Sequence, residues 1–406
     1  MILVNKYIYN IFGTISISII LRMLLLNEYG DTTLDNEWGT LFYNLKYNKI
    51  FAFRSFDGVL IPTVYMPPLY AYFILCIDYF LVSNENHLIN TILVVQILLS
   101  AVSIFIFYKI NLFFFSNKIS LFSSLLFCIF PLHVYSSLQI SSISIQIFLG
   151  LVFLYLILKI MKGKKNIKII CIFGLITGLC MLLRGEFILI FFFSLVYLKI
   201  LKSINSKQLL IIILTTIITL SPYLIRNYLN FEKITITKSF GYNLWKGNNI
   251  DANVEGSESA LAFQTGAIKE KIDQINKDNS YDFNFDKIFL NYSLESISQD
   301  PLLFLERYVK KFLSFTFFNL KSDYPNYYDF LNIGPLILLT IIFIPSIIFS
   351  FQKNTIYYYL IFNFLLTVGI YSLFFILPRY KLIILPIQLI LINFLIVKML
   401  RFMKKN

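Results

Sequence analysis

Two carboxylates stand close together at the start of the first long polar stretch, in Leu34-Asp35-Asn36-Glu37-Trp38-Gly39. A carboxylate beside a reacting hydroxyl can take its proton as a general base. A second chemistry needs cations that hold an anion. The candidates are Arg184 in Leu183-Arg184-Gly185-Glu186, Arg226 in Leu224-Ile225-Arg226-Asn227-Tyr228, and Arg379 with Lys381 in Pro378-Arg379-Tyr380-Lys381. A guanidinium matches phosphate oxygens with its planar fork and stays charged. An acid for the attacking group and arginines for an anionic leaving group together suit transfer away from a phosphate. Each residue also has a plainer role. Asp35 and Glu37 can favour the N-terminus of a following helix. On a helix, two residues this close point to different faces and cannot both reach one hydroxyl. Arg226 can snorkel from the end of a span, and Arg184 with Glu186 can form a weak surface pair.

The elements that must position these residues are membrane helices. The chain has 406 residues, 58% hydrophobic and 14% charged, where a soluble protein carries roughly 25% charged residues. Its mean hydropathy is +0.73. The apolar residues fall into runs near the length that crosses a bilayer: Ile8–Leu26, Leu88–Tyr108, Ile119–Val134, Ile143–Met161, Ile167–Leu183, Phe187–Leu201, Gln208–Leu224, Leu331–Phe351, Ile356–Leu377 and Leu382–Leu400. The fold class expected is all-α and polytopic, with about ten transmembrane helices. No small-residue cleavage site follows the first run, which therefore reads as a retained anchor. The net charge of +13 does not point to nucleic acid, because the Lys and Arg residues cluster between apolar runs, where they orient helices. Cys76, Cys128, Cys171 and Cys180 all lie in apolar segments without metal-site spacing. The two histidines, His87 and His133, leave little room for a His-based metal site, and His133 reads as a satisfied interfacial side chain.

Pro68–Val82 is apolar but short, and charge decides its place. With this segment lying in the outer interface and the N-terminus cytoplasmic, the clusters around Lys109, Lys162, Lys202, Lys353 and Arg401 all fall inside. The short outer loops then keep only Arg184, Arg379 and Lys381, a strong positive-inside bias. A crossing by Pro68–Val82 would reverse every later cluster and bury Asp78 at a cost of about 3 kcal/mol. The expected order is a first span (1–26), a first outer loop with juxtamembrane helices (27–87), the second to seventh spans (88–224), an outer helical region (225–330), and the last three spans with a cytoplasmic tail (331–406). In the outer region Ser257–Asn276 and Asp286–Phe318 look helical, the latter broken at Asp300-Pro301. The spans are nearly free of midplane charge, with Gln96 and Gln146 the main polar exceptions.

The motifs, in order, resemble the GT-C glycosyltransferases, in particular the bacterial members grouped with protein mannosyltransferases and lipid A aminoarabinose transferases. An acidic pair follows the first span, then Asn44-Leu45, then Tyr65-Met66-Pro67-Pro68-Leu69-Tyr70. Pro131-Leu132-His133-Val134-Tyr135-Ser136-Ser137 resembles the outer-face loop after the third span, and Leu183-Arg184-Gly185-Glu186 a basic–acidic step. Ser221-Pro222-Tyr223-Leu224-Ile225-Arg226-Asn227-Tyr228 and Gly241-Tyr242-Asn243-Leu244-Trp245-Lys246-Gly247-Asn248-Asn249 resemble two further family elements, and Arg379-Tyr380 precedes the last span.

The resemblance implies a membrane glycosyltransferase that moves a sugar, with inversion, from a polyprenyl-phosphate donor to an acceptor hydroxyl of a glycan, lipid or protein. It implies a multi-pass protein of a bacterial inner membrane whose site faces the periplasm. It makes Asp35 the candidate base with Glu37 the alternate, and Arg226, Arg379, Lys381 and Arg184 the donor-phosphate ligands. Trp38, Tyr70, Asn243 and Trp245 become substrate contacts, Trp faces being suited to sugars. Many relatives carry a second acid after the third span; here that loop reads Ser137-Leu138-Gln139-Ile140-Ser141-Ser142, so dependence on a divalent metal is doubtful and no cofactor is assigned. Two other functions compete. An oligosaccharide polymerase or ligase would not need an acid after the first span. A lipid or sugar transporter would place polar or broken segments near the midplane.

Overall fold

The computed structural model describes residues 2–82, 84, 87–249, 252–255, 266–319, 322 and 330–403. The chain is an all-α polytopic membrane protein with one small hairpin. Helix α1 (Ile2–Tyr29) leads into α2 (Glu37–Asn48), the antiparallel strands β1 (Ala52–Phe56) and β2 (Val59–Pro62), and α3 (Leu69–Leu81). The apolar body follows: α4 (Leu88–Asn111), α5 (Asn117–Ile129), α6 (Pro131–Ser136), α7 (Ile143–Met161), α8 (Ile167–Leu183), α9 (Phe187–Ile200) and α10 (Ser206–Phe231). Helices α11 (Phe240–Asn248), α12 (Ala267–Asp273), α13 (Tyr281–Gln299) and α14 (Pro301–Thr316) form a cap at one end of the bundle. Helices α15 (Phe330–Phe349) and α16 (Thr355–Leu373), a 3₁₀ turn (Pro378–Ile383) and α17 (Leu385–Met403) close the chain.

Six helices among the described residues are long and apolar enough to cross a membrane: Asn10–Tyr29, α4, α7, α10, α16 and α17. Helices α5, α8, α9 and Ile333–Phe349 are apolar but shorter. The third expected span is broken where Pro131 starts α6, since proline cannot donate into the preceding helix. Packing between α8 and α10 depends on small residues. A Cβ on Gly174 would lie 1.8 Å from Thr215 Oγ1, and one on Gly178 2.6 Å from Thr219 Cβ. This spacing of two glycines on one face lets helix backbones approach closely.

The loops sort to the two ends of the bundle. At one end the basic clusters close helix C-termini: Lys162 Nζ donates to Phe113 O (2.6 Å), Lys165 Nζ to Ser203 O (2.9 Å) and Lys398 Nζ to Phe349 O (2.7 Å). At the other end lie the first outer loop, the cap and the 3₁₀ turn.

Helices α2 and α3 run side by side in the same direction. Trp38 meets Tyr70 near their starts, with ring centroids 5.0 Å apart, and Lys46 pairs with Asp78 near their ends at 3.0 Å. The hairpin between them returns the chain so that a parallel pair can form. Its turn, Asp57-Gly58, has positive φ at both residues (50° and 80°), which matches the right-handed twist of the strands.

Two features differ from expectation. The hairpin lies in the first loop, where only juxtamembrane helices were expected. Arg22, which the sequence reading did not single out, lies inside the first span and is fully buried (0% exposed). It is tolerated there because Ser137 Oγ (3.0 Å), Ser18 Oγ (2.7 Å) and Cys128 O (3.1 Å) accept its protons. His133 is buried beside it, stacked on Phe127. In the cap, Asp300 accepts from Leu303 N (2.9 Å) and Pro301 opens α14, so the helix breaks where the sequence indicates. The helix expected over Ser257–Asn276 lies partly outside the described residues; α12 is its described part.

Candidate active site

A 3₁₀ helix advances three residues per turn, so three consecutive side chains point in three directions. In Pro378–Ile383 these are Arg379, Tyr380 and Lys381, and each meets a different outer segment. The Arg379 charge acts on Asp31 of the first outer loop. The Tyr380 ring lies 5.1 Å from the Arg184 guanidinium. Lys381 Nζ lies 2.9 Å from Glu255 of the cap. One short turn thus gathers the outer segments that carry charge.

Asp31 is tied to the loop after α6. Its Oδ2 accepts from Ile140 N at 2.6 Å, and its own N–H donates to Leu138 O at 3.1 Å. Burial raises the Asp31 pKa above the usual carboxylate value, against the opposing pull of the Ile140 N–H and Arg379. That loop is fixed from below: Tyr70 OH donates to Gln96 Oε1 (2.7 Å), and Gln96 Nε2 donates to Gln139 O (2.8 Å). Tyr70 is fully buried, so it supports the loop.

Asp35 and Glu37 are both exposed. The residue between them is the helix cap: Asn36 Oδ1 accepts from Trp38 N (3.0 Å) and Gly39 N (3.1 Å), while its Nδ2 donates to Ile140 O (3.3 Å). The capping role considered for the acids belongs to Asn36. Glu37 occupies the first turn of α2, where a negative charge is favourable.

Arg184 is held by Gln146 Oε1 (3.1 Å) and Ser142 Oγ (3.3 Å). Burial opposes its charge, but Tyr380, Tyr371 and Glu186 outweigh that and keep it protonated. Gln146, an apparent polar exception within a span, is the link that positions this arginine. Lys381 is 3% exposed. Burial lowers its pKa, while the Glu255 carboxylate supports its charge. Ser314 Oγ also donates to Glu255 Oε1 (3.2 Å).

Arg226 stands apart from this group. It donates to Thr63 O and Phe51 O, both at 2.9 Å, and to Asn227 Oδ1 at 2.8 Å. Its fork therefore joins α10 to the segments flanking the hairpin. Trp38 (8% exposed) packs on Tyr70, and Trp245 (5% exposed) packs on Phe289 inside the cap. Asn243 Nδ2 points to Ser239 Oγ (3.4 Å). In these positions the tryptophans build cores, with no ring face open to a sugar. The sequence reading passed over Asp31, Tyr380 and Glu255. Asp31 lies two residues after the end of α1, a signal that could have found it.

Residues 66–225 match the dolichyl-phosphate-mannose-protein mannosyltransferase family. The match opens on the residue before Pro67-Pro68-Leu69-Tyr70 and ends one residue before Arg226. No curated protein matches the chain. The family match agrees with the GT-C resemblance and indicates a multi-pass membrane glycosyltransferase of that type. Tyr70 and Arg184 lie within the matched segment, whereas Asp31, Asp35, Glu37, Arg379 and Lys381 lie outside it.

Proposed function

We propose that the protein transfers a sugar from a polyprenyl-phosphate donor to an acceptor hydroxyl, with inversion, at the outer face of a bacterial inner membrane. The observation that carries this reading is the 3₁₀ turn, which brings an acid, Asp31, and three cations, Arg379, Arg184 and Lys381, to one end of the bundle. A lipid-borne donor suits that place, since its sugar hangs from a phosphate just above the bilayer.

In the reaction, Asp31 takes the proton of the acceptor hydroxyl as its oxygen attacks the anomeric carbon. The bond from that carbon to the phosphate oxygen breaks, and the phosphate monoester leaves with the electron pair. Attacking and leaving oxygens lie on opposite faces of one carbon, which inverts it. The Arg379 charge acts on Asp31, and its fork can serve the departing phosphate. Arg184 adds a charge that its surroundings hold fixed, so little reorganisation is needed as the leaving group becomes more negative. Asp35 and Glu37 line the exposed rim and stand as alternates for the base or as contacts to the acceptor.

The test is sugar transfer from a panel of polyprenyl-phosphate sugars in membranes containing wild type or Arg379→Gln. Turnover by wild type, with kcat/KM for the donor down about 100-fold in the variant, supports the reading. An oligosaccharide polymerase or ligase would use none of the single-sugar donors. Uptake of labelled sugar lipid without transfer would favour a transporter instead.

A further inference from the structure

We infer that the Glu255 carboxylate holds, on Lys381, the place of an anionic lipid headgroup, and that a lipid phosphate binds by exchanging with it. The inference rests on the donor-phosphate role proposed for Lys381 and adds a latch to it.

Three observations support the exchange. First, the pair is buried on both sides, with side-chain exposures of 4% for Lys381 and 0% for Glu255 at 2.9 Å. A cap residue has thus been drawn into the membrane-proximal body. Second, the carboxylate is only half satisfied. Oε1 takes Lys381 and Ser314, whereas Oε2 is buried without a hydrogen-bond partner among the described residues. A phosphate carries more acceptor oxygens and more charge than a carboxylate, so it competes well for the same donors. Third, Lys381 lines a cavity with Leu132, Leu336, Leu339 and Leu385, beside the polar Thr316 and Gln388. A cation on the wall of a mostly apolar cleft is chemistry for an isoprenoid phosphate, not for a free sugar.

The cavity is small as it stands. Its free volume is about 10 Å³, room for one water. Admission of a lipid chain therefore requires the walls to part. Withdrawal of Glu255, on the segment 252–255, removes the contact that ties the cap to the 3₁₀ turn. Ser314 and Lys381 also hold the end of α14, through Lys381 to the Ser314 and Phe317 carbonyls. Exchange at Lys381 thus moves both the cap segment and one wall of the cleft.

A protein whose binding-competent form is a minor population shows an affinity reduced by that fraction. Glu255→Gln keeps the side-chain size and removes the charge that competes. The probe is a sugar-free polyprenyl monophosphate, with binding to purified protein followed by thermal stabilisation. About tenfold tighter binding by Glu255→Gln is expected, on the assumption that roughly nine-tenths of the wild type is latched, with binding lost in Lys381→Met. A second measurement uses wild type alone: cleavage after Glu255 by a glutamate-specific protease should quicken when the probe is added. Equal or weaker binding by Glu255→Gln, with Lys381→Met still defective and cleavage unchanged by the probe, would overturn the latch and leave the donor reading standing. Absence of probe binding by wild type would overturn both.

Discussion

Arg226 donates to the carbonyl of Thr63 at 2.9 Å, and its second terminal nitrogen reaches Phe51 O at the same distance. The two carbonyls flank the hairpin, so one guanidinium fixes both ends of β1–β2 against α10. The rings of Phe51, Tyr223 and Phe231 surround it at 5.2–5.9 Å. A lysine cannot reproduce this fork. Arg226→Lys should lower stability by about 1.5–3 kcal/mol, the range for a hydrogen bond to a charged group. Its donor KM, measured on the folded fraction, should stay near wild type. A raised donor KM with an unchanged melting midpoint would instead make Arg226 a phosphate ligand.

Asp31 should behave differently from the two acids that follow it. Asp31→Asn is expected to lower kcat by about 10²–10⁴-fold, the usual worth of a general base. Asp35→Asn and Glu37→Gln should stay within a few-fold, because both side chains point outward. A base works only when ionised, and burial raises the Asp31 pKa. Activity should therefore fall on acidification at a pH above the usual carboxylate value of about 3.9. Stability moves the other way. A raised folded pKa favours the folded state at low pH, and that contribution is lost as pH rises through the folded value. If Asp35→Asn abolishes turnover while Asp31→Asn keeps the acid limb, the base is Asp35.

The positions of the helices were legible because runs of apolar residues have few alternatives in a bilayer. Pro68–Val82 was read from charge; it forms α3 beside α2, with its Asp78 paired to Lys46. The hairpin was equally legible and was passed over. Asp57-Gly58 between Ala52-Phe53-Arg54-Ser55-Phe56 and Val59-Leu60-Ile61-Pro62 is a strong hairpin signal, masked by the helical character of its neighbours. The site was legible only in part. Arg379 and Lys381 stood out because the outer loops hold so few cations. Their partners could not be read, because Asp31 and Glu255 reach them across more than a hundred residues of chain. Arg22 was hidden by the apolar run around it. Only the fold shows that Ser18 and the carbonyl of Cys128 are there to receive it.

The α8–α10 contact is steric, and its test is a matter of volume. Gly178→Val would place two methyl groups where Thr219 Cγ2 already lies 2.8 Å from a single added Cβ. Relief requires the helices to separate, and overpacking of this kind costs about 1–3 kcal/mol. Arg184 follows α8 directly, and Arg226 is carried on α10. The variant should therefore lose thermal stability and some activity together. Thr219→Ala in the same background should restore part of both, because it clears the space. An unaffected melting midpoint in Gly178→Val would show that the two helices do not depend on this close approach.

Lys311 offers a pH signature of the cap. Its ammonium sits at the end of α11, donating to Gly247 O (3.0 Å) and Asn248 Oδ1 (2.9 Å), one turn from Arg307, which donates to the next carbonyl, Asn248 O (3.0 Å). Cations suit a helix C-terminus. Here, however, burial and then the Arg307 charge push the Lys311 pKa down to about 7. The unfolded chain keeps its lysine protonated up to about 10.4. Between those values the unfolded state binds more protons, so stability rises with pH across that window. Below pH 7 the folded state carries a buried Lys311 cation beside the half-buried Arg307, and the cap is at its weakest. Thermal unfolding followed from pH 6 to pH 10 should show this rise in wild type. Lys311→Met should flatten it, since the titrating group is gone, and should leave a midpoint at pH 6 no lower than that of wild type. A wild-type profile without slope over this range would place the Lys311 pKa near its ordinary value and remove the cap from any pH response.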